Sequence, residues 1–324
     1  MPLPSSSGQP TPEAERLGVP ETPLQQALAS FRRDRLAVAG FCVLVAVLVV
    51  SVVGKVLTEW WVVLDCRTIR LADTLKPPLA SASPGLSAEP FGVYWFGTDE
   101  LGRSVFARML QGASVSLSTG LVAVSISLSI GVTLGGIAGY YGSRKLGPFS
   151  VDALIMRFTD VALCFPSFFL ILTVVALLPP GIFMVMIVIG ATSWMGTARF
   201  VRAEFLALRE LDFVLAARAL GLPEWRIIFR HMLPNAMAPV FVSSSIDVAS
   251  AILTESALSF LGFGVQPPHA TWGNILADGR GYIFDAPWLF VIPGTAILVV
   301  VLAFNLVGEG LREAFSPRLR RRRG

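Results

Sequence analysis

Long apolar runs separated by short polar segments dominate the hydrophobic pattern of this chain. Charged side chains are absent from 36–54, from 109–143 and from 161–198. An α-helix rises 1.5 Å per residue, so about 20 apolar residues cross a hydrocarbon layer of about 30 Å. The pattern therefore predicts helices that span a membrane.

The longest of these runs needs to be divided, because 38 residues exceed one span. The sequence Pro179-Pro180-Gly181 at its middle indicates a turn, and Pro166 is expected to kink the span before that turn. Less uniform apolar runs give two more spans nearer the C-terminus. The predicted spans are 36–54, 116–140, 161–178, 182–196, 238–261 and 287–307. The predicted fold class is an all-α membrane protein with six transmembrane helices.

The polar segments between and around the spans have different characters. Residues 1–24 are rich in Pro, Ser and Glu and are expected to form a disordered tail, while 25–35 suits an interfacial cytoplasmic helix. Residues 55–108 form a polar segment outside the membrane, and Thr98-Asp99-Glu100 is predicted to cap the next helix. Residues 109–311 form the core transmembrane domain, and the basic tail 312–324 is expected to contact anionic lipids.

Glycines are frequent in the second predicted span. Small residues about four positions apart allow helix backbones to approach closely. We therefore expect this span to be packed inside the bundle on its glycine face, which includes Gly120, Gly131, Gly135, Gly136 and Gly139.

Composition indicates the class of protein, and the distribution of charge indicates how the chain is oriented in the membrane. Only 15% of residues are charged and the mean hydropathy is +0.67, whereas a soluble domain carries about 25% charged residues. Of the 26 Lys and Arg residues, nineteen fall on one side if both termini, the 144–157 loop and the 199–231 segment share it. The positive-inside rule then predicts that this side is the cytoplasm. The three cysteines suit neither a disulfide framework nor a metal site.

One charged, amphipathic segment stands between apolar runs, Asp212–Asn235, which we call the elbow. Ala216 and Ala217 lie on a helical run that ends at Gly221, a residue able to take the left-handed conformation that terminates helices. Pro223 fits the first turn of a second short helix, which carries Glu224, Trp225 and Arg226. A helix–glycine–helix shape on the water side of a membrane protein is suited to docking into a partner's groove.

The elbow resembles the EAA loop of ABC importer permeases, the coupling helix that contacts the ATPase subunit in that family. The spacing of Ala216-Ala217, Gly221 and Leu233-Pro234 carries the resemblance, with Leu215 where Glu is usual and His231 where Ile is usual. In having His at this position, the chain resembles the dipeptide/oligopeptide/nickel branch of the family. The matching positions imply an ATPase-docking loop made of Ala216, Ala217, Gly221, Leu222, Pro223, Glu224, Trp225, Arg226, Leu233 and Pro234.

Three further segments resemble the same branch in the same order, namely Phe96–Leu117, Ala257–Gly273 and the C-terminal tail. The resemblance implies a type I ABC importer permease fold in a bacterial inner membrane, paired with a second homologous permease. It also implies two ATPase subunits that use ATP and Mg, an extracytoplasmic substrate-binding protein, and peptides as cargo. Nickel or glutathione as cargo remains an alternative.

Sequence signatures of catalysis are missing. There is no G-x-x-x-x-G-K-[ST] phosphate loop, no H-E-x-x-H zinc motif and no G-x-S-x-G nucleophile elbow. We therefore expect no catalytic residue, no cofactor or metal bound by this chain, and no nucleic-acid partner.

Asp247 and Glu255 are the charges expected inside the fifth span. An ionisable group there is costly and usually faces a cavity or a partner side chain. Since eight residues separate them, we expect them to lie on broadly the same face, and with Ser243 and Ser244 to line a translocation pathway. The alternative is that Glu255 caps a loop or pairs with a basic residue of the second permease. A stand-alone secondary transporter would need such groups for ion coupling and discontinuous helices.

Overall fold

The computed structural model describes residues 23–61, 64, 66–83 and 92–315. Predictions for 1–22 and for the last nine residues, including the arginine cluster of the tail, lie outside this range. The described residues are mostly helical. Its α-helices are α1 Pro23–Arg33, α2 Arg35–Lys55, α3 Val105–Tyr141, α4 Val151–Leu163, α5 Ser167–Leu177, α6 Ile182–Arg209, α7 Asp212–Ala219, α8 Glu224–Arg226, α9 Leu233–Phe260, α10 Trp272–Asp278 and α11 Trp288–Phe315.

Short irregular elements complete the structure. π-Helical turns run over Val56–Trp60 and Ile227–Met232, and 3-10 turns over Leu71–Asp73 and Gly279–Tyr282. Two antiparallel pairs of two-residue strands join β1 Ala80–Ser81 to β2 Val93–Tyr94, and β3 Lys145–Leu146 to β4 Phe149–Ser150.

The described residues form five helices long and apolar enough to cross a membrane, and a sixth span if one bent pair counts as a unit. The five are Arg35–Trp60, Val105–Tyr141, Ile182–Arg209, Glu224–Phe260 and Trp288–Phe315. The all-α fold with six membrane segments is confirmed in this sense.

The third span differs from its prediction. Helices α4 and α5 meet at an angle of 82° instead of forming one kinked helix over 161–178. Pro166 stands at the break. Its ring clashes with the backbone of the residue before it, which disfavours helical geometry at Phe165. With 11 residues, α5 is only about 16 Å long, so it crosses little more than half of the hydrocarbon layer by itself.

Several helices run beyond the predicted spans. α3 begins at Val105 rather than 116, α6 continues to Arg209 rather than 196, and α11 ends at Phe315. The predicted cap at Thr98-Asp99-Glu100 is wrong, because Ser104 caps α3 by accepting a hydrogen bond from Ala107 N at 3.5 Å. The apolar window located the membrane part of each helix but not its water-exposed turns.

Asp99 makes contacts of a different kind. Its buried carboxylate accepts hydrogen bonds from Arg103 Nε at 2.7 Å and Arg108 Nη1 at 2.6 Å, and Arg108 Nη2 reaches Asp278 at 2.8 Å. This ion-pair network fastens the start of α3 to the end of α10.

The tightest helix packing joins α3 to α6 along the glycine face of α3. A Cβ atom built on Gly131 would lie 2.7 Å from Thr197 Cβ, so no larger residue fits without a shift. The expected close packing of this span is confirmed. At the end of α3 near the elbow, a separate hydrophobic cluster brings together Tyr140, Val201, Phe205, Val214, Ala217, Ile227, Met232, Ala236 and Val240.

Candidate functional site

The elbow turns at Gly221 through a hydrogen-bonded helix stop. Gly221 has φ +72°, its N–H donates to Arg218 O at 2.9 Å, and Leu222 N donates to Ala217 O at 3.2 Å. This pair of bonds is the Schellman motif, and it confirms the predicted left-handed residue. A Cβ atom at Gly221 would meet no atom within 4 Å. The backbone conformation, and not a lack of space, therefore requires glycine here.

The second half of the elbow is not the separate short helix that was predicted. Pro223 lies just before the helix, which begins at Glu224 and runs through a π-helical turn into α9, giving one helix over Glu224–Phe260. Pro234 has no N–H to donate to the preceding turn, and the helix widens to π geometry immediately before it. The elbow is thus continuous with the fifth span.

Buried side chains and polar contacts hold the elbow against the ends of α3 and α6. Ala217, one of the predicted docking residues, is 4% exposed and packs in the cluster around Phe205. Arg144 Nη2 lies 2.5 Å from Glu224 Oε1, although both side chains are largely exposed, so this pair contributes little stability. Arg218 lies over the Tyr140 ring at 5.3 Å.

Part of the elbow surface is exposed and apolar. Large hydrophobic side chains point outward there; the most exposed is Leu220 at 80%. Clusters of this kind mark sites of protein or membrane contact. We call this surface the exposed elbow face; it consists of Phe213, Leu215, Leu220, Trp225 and Phe229.

The predicted docking residues divide between this surface and the interior. Ala216, Gly221, Pro223, Glu224, Trp225, Arg226 and Pro234 are exposed, Leu222 and Leu233 are half-buried, and Ala217 is buried. Sequence analysis missed the exposed face residues Phe213, Leu220 and Phe229.

Asp247 faces a small cavity between α3, α6 and α9. The cavity has a volume of about 60 Å³, and its polar lining consists of Asp247, Ser127, Ser193, Ser250 and Thr254. Spacings of three and seven residues keep Ser250 and Thr254 on the same helix face as Asp247, a signal that the sequence analysis did not use. Ser127 and Ser193 come from other spans, so only the tertiary structure brings them there.

Glu255 does not share this cavity. Its side chain is fully buried, and it accepts hydrogen bonds from Ser259 Oγ at 2.7 Å and Ser116 Oγ at 3.4 Å. Ser116 Oγ also accepts from Trp272 N at 3.4 Å, at the start of α10. Eight helical residues place Glu255 about 80° around α9 from Asp247, enough to put it on another face. Its contacts correspond to the structural alternative, in which it secures a loop.

The two predicted serines also differ. Ser243 is half-buried and donates to Val240 O at 2.9 Å, whereas Ser244 is buried and donates to Phe241 O at 2.8 Å. Both hydroxyl protons are therefore used within α9. Neither serine lines the cavity at Asp247.

A bundle of helices long and apolar enough to cross a membrane, with a charged elbow continuous with one of them, defines a polytopic membrane protein. The chain belongs to the family of binding-protein-dependent transport system inner membrane components, whose model matches residues 131–321. A second model, the N-terminal TM domain of oligopeptide transport permease C, matches residues 22–78. The resemblance seen in the elbow and its flanking motifs is confirmed.

Similar proteins cover nearly the whole chain. The dipeptide transport system permease protein DppC of Alkalihalophilus pseudofirmus is 38% identical over 96% of this chain and 94% of that protein. The oligopeptide transport system permease protein OppC of Bacillus subtilis is 34% identical over 92% of this chain and 90% of that protein. The glutathione transport system permease protein GsiD of Pectobacterium atrosepticum is 39% identical over 72% and 76%. A structure of the inward-facing MetNI methionine ABC transporter matches 65% of this chain with a TM-score of 0.47 and 17% identity.

Proposed function

We propose that this chain is the permease subunit of an ATP-driven importer that carries di- or oligopeptides across a bacterial cytoplasmic membrane. A second, homologous permease would complete the pathway, and an extracytoplasmic binding protein would deliver the cargo. Membership of the binding-protein-dependent family and the similarity to dipeptide and oligopeptide permeases support this proposal. The similarity to a glutathione permease supports glutathione, itself a small peptide, as the second candidate cargo.

The continuous helix over Glu224–Phe260 is the observation that carries the mechanism. One end of this helix belongs to the elbow, and its middle carries Asp247 in the membrane. A displacement of the elbow would therefore be transmitted along one helix to the cavity lining. Coupling between two sites needs such an element with two arrangements.

The energy would come from two partner ATPase subunits that bind ATP and Mg. The exposed elbow face offers them an apolar surface, while the buried Val214, Ala217 and Ile227 fix the elbow to the bundle. An elbow held in this way would move as one body when a partner pulls or pushes on it. This chain would open and close the pathway, and the partners would hydrolyse the nucleotide.

Cytoplasmic termini and a cytoplasmic elbow are part of the proposal, and cysteine labelling in intact cells tests them. Leu220 in the elbow and Leu71 in the segment before α3 are comparably exposed, at 80% and 71%. In a background without the native cysteines, a membrane-impermeant maleimide added outside should label Leu71→Cys and not Leu220→Cys. The reverse pattern would refute the orientation.

Reconstitution tests the function itself. The two permeases and the two ATPase subunits are purified together and placed in proteoliposomes. Binding protein and a labelled peptide are then added. We expect uptake only when ATP and the ATPase subunits are both present. Uptake by this chain alone, without a nucleotide-hydrolysing partner, would instead establish a stand-alone transporter.

A further inference from the structure

Asp247 places a carboxylate in the middle of the fifth span, and no cationic side chain of the described residues pairs with it. Within the described residues it accepts no hydrogen bond and forms no ion pair, and it is neither fully buried nor fully exposed. A carboxylate at this depth is costly and usually faces a cavity or a partner group. Its only polar surroundings in the described chain are the hydroxyl groups that line the 60 Å³ cavity.

Two of the four hydroxyl groups that line this cavity have their protons engaged by carbonyl oxygens of their own helices. Ser193 Oγ donates its proton to Ile189 O at 2.7 Å, and Thr254 Oγ1 donates to Ser250 O at 2.8 Å. Their remaining capacity is their lone pairs, because a hydroxyl has one proton to donate and two acceptor sites. Together with the carboxylate, these oxygens favour a ligand that is positively charged and donates several hydrogen bonds.

The remaining lining narrows the ligand class further. The walls are apolar, formed by Ala123, Val124, Ile189 and Ala251, and no Lys, Arg or His is among the lining residues. Anionic groups are disfavoured by Asp247. With a volume of about 60 Å³ the cavity is small, so it suits one small polar group of a ligand.

A metal ion fits this site poorly. No group of three or more His, Cys, Asp or Glu residues that could hold a metal comes together in the described ranges. Hard cations such as Ca²⁺ take six to eight oxygen ligands with several carboxylates or carbonyls, whereas one carboxylate is present here. An organic ammonium, with three N–H donors spread around one charge, matches the acceptors better.

We propose that this cavity is a subsite of the translocation pathway that receives the primary ammonium group of passing cargo, with Asp247 as its counter-charge. The inference rests on the proposed importer function and adds a specificity-determining residue to it. The permease would then discriminate between cargo with a free amino group and the same cargo with that group blocked. This selection would add to whatever preference the binding protein has.

The local charge is tested with thiol reagents on the assembled importer. The native Cys42, Cys66 and Cys164 are replaced by Ala, and Ser250, an exposed residue of the lining, is replaced by Cys. The rates of its reaction with aminoethyl and with sulfonatoethyl methanethiosulfonate are then compared, each relative to a small thiol in solution. A carboxylate a few ångströms away should favour the cationic reagent by at least ~10-fold.

The isosteric Asp247→Asn variant provides the matched control. We expect the ratio of the cationic to the anionic reaction rate to fall to about one in Asp247→Asn. In Asp247→Glu, part of the preference for the cationic reagent should remain. A preference that is unchanged in Asp247→Asn would overturn the assignment of the counter-charge. Protection of Ser250→Cys from both reagents in every nucleotide state would overturn the placement in the pathway.

Uptake measurements test the consequence for transport. Initial uptake rates are measured for one peptide with a free α-amino group and for its N-acetylated form. The free-to-acetylated ratio is then compared between the wild type and Asp247→Asn. The binding protein's own preference cancels in this comparison. We expect the ratio to fall at least ~5-fold in the variant, because the carboxylate no longer favours the ammonium form.

The outcomes separate this inference from the function on which it rests. If both proteins import peptide with equal ratios, the ammonium subsite is refuted while the importer function stands. If no combination of subunits imports peptide, the proposed function fails, and the thiol assay still reports whether the cavity attracts cations.

Discussion

The N–H of Leu222 donates to the carbonyl oxygen of Ala217 at 3.2 Å, across the left-handed Gly221. This bond closes the turn that directs the chain from α7 into the helix of the fifth span. Since Ala217 is also buried against the ends of α3 and α6, one short turn fixes both the shape of the elbow and its attachment. Changes at this turn should therefore affect coupling more than membrane insertion.

Gly221→Val should abolish coupled transport. A left-handed conformation costs an L-residue about 1–2 kcal/mol, and a β-branched side chain resists it further. We expect uptake to be lost while the amount of protein in the membrane stays near the wild-type level. The measurement is ATP-dependent uptake in proteoliposomes, with immunoblotting of the membrane fraction.

Gly147→Val is the control for that variant. Gly147 has φ +64° and no atom within 4 Å of an added Cβ, but it lies in the β3–β4 hairpin instead of the elbow. The backbone strain is therefore matched and only the location differs. Equal loss of uptake in both variants would argue against a special role for the elbow turn.

Leu220→Ser should weaken ATPase association without destabilising the permease. Leu220 is 80% exposed, so removing it takes little from the packing of this chain. Truncating a central apolar contact of an interface costs about 2 kcal/mol or more, which corresponds to about 30-fold in affinity. Co-purification at graded ATPase concentrations measures this effect. Phe284→Ser, at a side chain 97% exposed outside the elbow, is the control and should bind ATPase normally.

Ala217→Asp should act in a different way from Leu220→Ser. Because Ala217 is buried, a carboxylate there would enter an apolar cluster and disrupt the seating of the elbow on the bundle. We expect a lower thermal stability together with loss of ATPase binding. Fluorescence-detected size-exclusion chromatography after heating distinguishes the two variants, and normal stability of Ala217→Asp would contradict the observed burial.

Glu255→Ala should destabilise the protein and leave the selectivity for amino groups unchanged. It would leave the buried hydroxyl groups of Ser116 and Ser259 without their acceptor, at a cost of about 1–3 kcal/mol. Thermal unfolding in detergent measures the loss. A variant of normal stability but altered free-to-acetylated uptake ratio would place Glu255 in the pathway after all.

Acid should loosen the segment that precedes α3, through Asp73. Burial alone would raise the pKa of Asp73, but hydrogen bonds from Lys76, Ser83 and Tyr94 outweigh it and hold the pKa well below its ordinary value. Such a group stabilises the fold above its unfolded pKa of about 3.9, and that contribution is lost as the pH falls towards the folded pKa. The protection factors of the amides in 66–83 and 92–104, which compare the observed exchange rate with the intrinsic chemical rate at the same pH, should therefore fall on going from pH 7 to pH 3.

Asp73→Asn gives the control for that pH dependence. It removes the charge that Lys76 approaches at 2.6 Å, so the protection factors should be lower already at pH 7 and should change less with acid. Wild-type protection factors that are equal at pH 7 and pH 3 would show that the Asp73 carboxylate does not support the segment.

The sequence by itself determined the features that depend on neighbouring residues. Uniform apolar runs indicated which parts of the chain form helices apolar enough to span a membrane, since burial of backbone in hydrocarbon requires helix. Gly221 fixed the elbow turn because its left-handed conformation is a local property. Motif spacing around Gly221 sufficed to recognise the family, which the match over 131–321 confirms.

Only the tertiary structure decided which distant groups meet. Glu255 lies eight positions from Asp247, but it is paired with Ser116 of α3, 139 residues away. Ser127 and Ser193 joined Asp247 in one cavity for the same reason, because the packing of α3, α6 and α9 sets their rotation about their axes. Helix rotation and the 82° bend between α4 and α5 depend on contacts with other helices, and no local periodicity encodes them.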